Sequence, residues 1–95
     1  MIKPYKISVP KSTLNNIYKK VRAYPWKMMQ NVNGWEYGTN YNFLKKISQY
    51  WVSKYNWKKF EKKINSFKNY KTNVDGINIH FIREKSKNPK SRPLL

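Results

Sequence analysis

The sequence has no cysteine, a single histidine (His80) and only four acidic residues, Glu36, Glu61, Asp75 and Glu84. Each scarcity removes a class of chemistry. Without cysteine there is neither a disulfide framework nor a thiolate metal site. One histidine cannot build a histidine metal cluster or a histidine–cysteine dyad. Asp75 stands beside Gly76 and is claimed by a turn, so paired-carboxylate catalysis has no support. Glu61 is the only counter-charge among the lysines of its segment and reads as a tie to lysine or to a neighbouring element, not as an acid. No glycine-rich phosphate loop, Gly-x-Ser-x-Gly elbow or metal-ligand spacing occurs. No catalytic residue, metal ligand or cofactor site is assigned.

Long apolar runs are also missing. None approaches the roughly 18 residues of a membrane span, and the first residues lack the apolar core of a signal peptide. The compartment is left open. Arginine is scarce as well: Arg22, Arg83 and Arg92 are the only three among 21 basic residues. A net charge of +17 invites a polyanion partner. Arginine, however, is the side chain favoured for phosphate forks and base edges, and joint enrichment in lysine and asparagine fits compositional drift with solvated faces. Nucleic acid is therefore the disfavoured partner.

What the chain does have is aromatic residues, 17% of 95, including four Trp and eight Tyr. Disordered chains are poor in aromatics, so a packed globular piece is expected. Residues 1–10 read as an extended arm, because Pro4 and Pro10 oppose helix and Tyr5, Ile7 and Val9 alternate. A helical part spans 11–67. Its first helix, capped by Ser12 or Thr13, carries Leu14, Ile17, Tyr18 and Val21 on one stripe. Asn33-Gly34-Trp35-Glu36-Tyr37-Gly38 is turn-rich, and its two glycines suggest a sharp fold that packs both rings inward as a structural plug. The second helix starts at Thr39 or Asn40 and ends near Tyr55, with Phe43, Leu44, Ile47, Tyr50 and Trp51 on a wide apolar stripe. Asn56 caps a third, with Trp57, Phe60, Ile64 and Phe67 on one side.

A β-hairpin follows over 70–82. Asp75-Gly76 between alternating runs is the strongest short-range hairpin signal, and Ile77, Ile79 and Phe81 point to one face. His80 lies on the other face and reads as a packed or hydrogen-bonded structural histidine. Residues 83–95 form a polar loop that turns apolar at Pro93-Leu94-Leu95, like the opening of a further strand in an interrupted fold.

The order of these signals resembles the N-terminal domain of epoxide hydrolases of the α/β-hydrolase fold, in the microsomal and juvenile-hormone branch. Lys3-Pro4-Tyr5-Lys6-Ile7 looks like the family's lead-in. Gly34, Trp35, Tyr37, Gly38 and Thr39 match its Trp-x-Tyr-Gly-Thr signature. Tyr50-Trp51 and Tyr55-Asn56-Trp57 match its paired aromatic motifs. Glu61, Asn65 and Phe67 fall on Glu-x-x-Leu-Asn-x-Phe, and Asp75, Gly76, His80 and Phe81 on its Asp-Gly-x-x-Ile-His-Phe hairpin. Asn56, Lys58 and Lys68 depart from the family's usual Asp, Arg and Pro.

The resemblance covers residues 1–95 and implies an α/β fragment: arm, three helices, and a hairpin forming the first strands of a truncated hydrolase sheet. It gives the matched residues a structural role. It implies that a complete relative opens an epoxide by carboxylate attack and hydrolyses the ester to a vicinal diol, with nucleophile, oxyanion motif and catalytic histidine all beyond Leu95. This portion is then inactive alone. Its implied partner is the remainder of the hydrolase fold, with room for a homo-oligomer in the parent, epoxide substrate only in a full-length relative, and an endoplasmic-reticulum membrane location for the microsomal branch. The alternatives are a small basic nucleic-acid-binding module and a degenerate gene remnant.

Overall fold

The computed structural model describes residues 1–31 and 33–95, and contains three helices and a three-stranded antiparallel sheet in two compact units. One unit is Val9–Trp57; the other joins Met1–Ser8 to Lys58–Leu95.

In the unit Val9–Trp57, α1 (Lys11–Arg22) packs on α2 (Tyr41–Ser53). The stripe Leu14, Ile17, Tyr18 and Val21 is the half-buried face of α1. Its start departs from expectation. Neither Ser12 nor Thr13 caps it, because the Leu14 N–H already donates to the Pro10 carbonyl (3.2 Å), which places both residues inside the first turn. Proline supplies no side-chain cap, but its fixed φ of −59° suits the entry to a helix. Lys19, Lys20 and Arg22 occupy the last turn, where the helix dipole favours cations, and the Arg22 guanidinium donates to the Val52 carbonyl of α2 (3.3 Å).

The link to α2 is pinned by aromatic rings. Trp26 meets Tyr24 and Tyr41 edge-on, with centroids 4.7 and 5.7 Å apart, and the Tyr41 hydroxyl donates to the Trp26 carbonyl (3.4 Å). Asn40 caps α2 through its side-chain oxygen, which accepts from the Phe43 N–H (3.1 Å). The stripe expected for α2 is only partly used. Tyr41, Leu44, Lys45, Ser48 and Val52 make its half-buried face, while Phe43, Ile47, Tyr50 and Trp51 stay exposed. Periodicity marks an apolar face but not what covers it.

In the other unit β1 (Lys3–Pro4), β2 (Asn69–Val74) and β3 (Ile77–Ile82) form an antiparallel sheet in that order. Pro4 sits opposite Tyr70, and Tyr70, Lys71 and Thr72 sit opposite Phe81, His80 and Ile79. The Tyr5 N–H donates inward to the Asn69 carbonyl (2.9 Å). Helix α3 (Trp57–Asn65) lies in this unit from Lys58 onward. Its Asn65 amide grips the Ile7 backbone twice, accepting from the N–H (2.9 Å) and donating to the carbonyl (2.7 Å).

The β2–β3 turn has positive φ at both central residues, Asp75 (+50°) and Gly76 (+81°), the requirement of a tight turn that follows the sheet's twist. The Asn73 side chain accepts from the Gly76 N–H (3.0 Å). A side chain at 76 would meet nothing within 4 Å, so any cost there is backbone strain alone. Replacing Gly76 by Val is expected to weaken the hairpin by about 1–2 kcal/mol, and by Asn by much less, because Asn tolerates that region. Amide hydrogen exchange in β2 and β3 measures the order.

Candidate functional site

The residues singled out by sequence fall into two groups, one in each unit. In the unit Val9–Trp57, Trp51 and Trp57 line an apolar groove of about 510 Å³ with Val9, Leu14, Ile17 and Tyr18 among their neighbours. The groove follows from α1 and α2 presenting aliphatic and aromatic side chains side by side. Tyr50 is exposed on α2.

The plug expected at Gly34–Gly38 is not built. Tyr37 is 87% exposed and Trp35 59%, with Trp35 tilted on Phe43 at 5.2 Å. Both glycines take positive φ, +146° at Gly34 and +133° at Gly38, so the sharp turns are present. The turns carry the rings outward instead of inward. Asn40 fastens this loop by donating to the Gly34 carbonyl (3.3 Å) while capping α2.

In the sheet unit the organising residue is Asn69, 5% exposed, which sequence reasoning passed over. Its Nδ2 donates to the carbonyls of Ile64 and Phe67 (2.8 Å each), closing the end of α3 onto β2. With both amide hydrogens spent on carbonyls, its Oδ1 can only accept. The group facing that oxygen is His80 Nε2 at 2.8 Å, so Nε2 carries the hydrogen. His80 also stands edge-on to Tyr5, with centroids 5.3 Å apart, and the Lys71 ammonium lies 3.7 Å from the Tyr5 ring centre. A histidine held this way is a structural donor. Strand alternation could have placed Asn69 on the His80 face, but its bonds to α3 leave no mark in the sequence.

The carboxylates are also engaged. Glu61, 9% exposed, takes the Lys58 ammonium at 3.1 Å; Asp75 forms the turn; Glu84 accepts from the Lys68 backbone N–H at 2.8 Å. Phe81 stacks on Tyr70 across the strands at 5.7 Å. Among the described residues no three of His, Cys, Asp and Glu converge to hold a metal ion, and no helix is long and apolar enough to cross a membrane. The arrangement holds backbone together and presents apolar surface. It assembles no nucleophile with a base among the described residues.

The chain matches the family described as epoxide hydrolase N terminus over residues 2–95, and it belongs to that family. It is 33% identical over 97 residues to juvenile hormone epoxide hydrolase 1 of Ctenocephalides felis, covering 99% of this chain and 21% of that one. It is 30% identical over 84 residues to epoxide hydrolase 1 of Sus scrofa, covering 88% and 18%. Among solved structures it is similar to the juvenile hormone epoxide hydrolase of the silkworm Bombyx mori, with a TM-score of 0.84 and 28% identity over 95% of this chain and 22% of that one. The chain thus spans about a fifth of the length of these relatives. None of these matches supports a nucleic-acid-binding module or a degenerate remnant.

Two measurements test the Asn69 assignment. Long-range nitrogen–proton NMR of neutral His80 is expected to show the hydrogen on Nε2. Asn69→Asp removes both amide donors, setting a carboxylate against two carbonyls, and is expected to cost about 1–3 kcal/mol in the protection of β2 amides from exchange.

Proposed function

We propose that this chain is the N-terminal, non-catalytic portion of an enzyme that hydrolyses an epoxide to a vicinal diol, and that its partner is the remainder of a hydrolase fold. In that reaction a carboxylate oxygen attacks an epoxide carbon, the C–O bond breaks to leave an alkoxide that is protonated, and histidine-activated water then hydrolyses the ester. The groups for those steps are proposed to lie outside these 95 residues. The present residues would supply packing.

One observation carries the reading: among the described residues no apolar side chain is buried, although 39% of the chain is apolar. On β3 Ile77 is 67% exposed, and Val74 and Ile79 share its open face. A soluble monomer seldom leaves such surface uncovered. Family membership favours the remainder of a hydrolase fold as the cover. The arm and hairpin are then read as the start of an α/β-hydrolase sheet, with the next strand pairing along the free edge of β3. The exposed row Phe43, Ile47, Tyr50 and Trp51 would lie under the rest of the enzyme.

A chimaera tests this directly. The chain replaces the matching fifth of the silkworm enzyme, and the product is assayed for epoxide hydrolysis against the 95-residue chain alone. The chimaera is expected to be soluble and active, and the chain alone to match buffer. A folded but inactive chimaera, or activity in the chain alone, would overturn the proposal.

A further inference from the structure

Past the last paired residues of the hairpin the ladder takes one more step. The Arg83 N–H donates to the Lys68 carbonyl (3.0 Å), continuing the register in which Asn69 faces Ile82. Two cations are thereby set directly opposite each other. Like charges in that relation are destabilising.

Alternation along the strands puts Lys68 on the face of Tyr70, and Arg83 and Lys85 on the face of Phe81, which is the same side of the sheet. These side chains, with Ile2 and Tyr70, line one cavity of about 300 Å³. The only adjacent carboxylate, Glu84, is bound to the Lys68 backbone N–H (2.8 Å). Among the described residues Lys68, Arg83 and Lys85 form no ion pair; the Lys58–Glu61 salt bridge lies on α3. Counting Glu84, the mouth of the cavity keeps a net charge of +2. The Tyr70 hydroxyl has no hydrogen-bond partner among those residues and remains available as a donor.

We propose that Lys68, Arg83, Lys85 and Tyr70 form a binding site for a phosphate group. Arg83 would give the paired N–H donors that fit phosphate oxygens, the two lysines point charges, and Tyr70 a neutral donor. Ile2 and the Tyr70 ring would lie against the apolar part of a phosphate ester. The anion relieves the repulsion that the register imposes on Lys68 and Arg83. This site is separate from the hydrolase reading and stands if that reading fails.

Phosphate comes to such a site free or on a lipid headgroup, so the test has two arms. The full chain is titrated with inorganic phosphate, and separately with phosphatidic acid vesicles beside phosphatidylcholine vesicles. Both arms use about 0.15 M salt, at which exposed charges more than ~8 Å apart are largely screened. Saturable binding is expected in at least one arm, with the largest NMR shifts at the amides of Lys68, Arg83 and Lys85. Saturation by inorganic phosphate points to a free ester; binding to phosphatidic acid vesicles alone points to a lipid. Arg83→Ala and the double variant Lys68→Ala/Lys85→Ala are each expected to weaken binding at least about tenfold, the scale of a charged hydrogen bond. All three side chains are exposed, so the fold should survive their removal. The charge-matched double variant Lys19→Ala/Lys20→Ala on α1 should bind as the parent does. Equal losses in both double variants would reduce the effect to bulk charge, and no saturable binding in either arm would remove the site; either result overturns the proposal.

Discussion

The sheet unit depends on three hydrogen bonds of one buried amide. Asn69 is the first residue of β2 and also the lock on the end of α3, through the Ile64 and Phe67 carbonyls. Those two bonds fix which way the amide points, and that in turn fixes the donor atom of His80. Tyr5 then stands against His80, and Asn65 holds Ile7 two residues further along the chain. Residues 5–7, α3 and the β2–β3 strands are thus joined by polar contacts of short reach. Buried polar groups are costly when unmade, so such a network dictates a specific geometry even where apolar burial adds little.

That division of labour explains the distribution of apolar surface. On the sheet, the face tied to α3 is the polar one, with Asn69 and His80, while Val74, Ile77 and Ile79 are left open. On α2, a mixed face of Tyr41, Leu44, Lys45, Ser48 and Val52 is half-buried and the more apolar row is not. The same arrangement recurs in both units, on α2 and on the sheet, whereas α1 half-buries its apolar stripe Leu14, Ile17, Tyr18 and Val21. The relatives it matches are about five times longer, and in this chain the more apolar sides of α2 and of the sheet stay open.

Three helices could be read from their apolar period, and for α2 from its cap as well, since Asn40 acts there through its own side-chain oxygen. The family was legible too, because several motifs recur at their spacing along the chain. Two local readings failed for physical reasons. Pro10 starts α1 before either hydroxyl residue can cap it, and the Gly34–Gly38 turns expose the rings they were expected to bury. In both cases composition gave the residue type and the backbone decided its direction. The role of Asn69 was invisible because its partners are main-chain carbonyls, which every sequence contains. Lys68 and Arg83 looked like ordinary members of a lysine-rich surface until the register set them face to face.

Pro4 makes the two edges of the sheet unequal. The Tyr5 N–H points inward to Asn69, so the neighbouring position, Pro4, would aim its N–H at the outer edge, and proline has none to offer. β1 is also two residues long and begins with lysine, so it makes a poor template for another strand. β3 carries six residues with no proline and no lysine. Strand addition is thus guarded at one margin and permitted at the other. Any strand that pairs with this sheet therefore finds its unpaired backbone groups chiefly along β3.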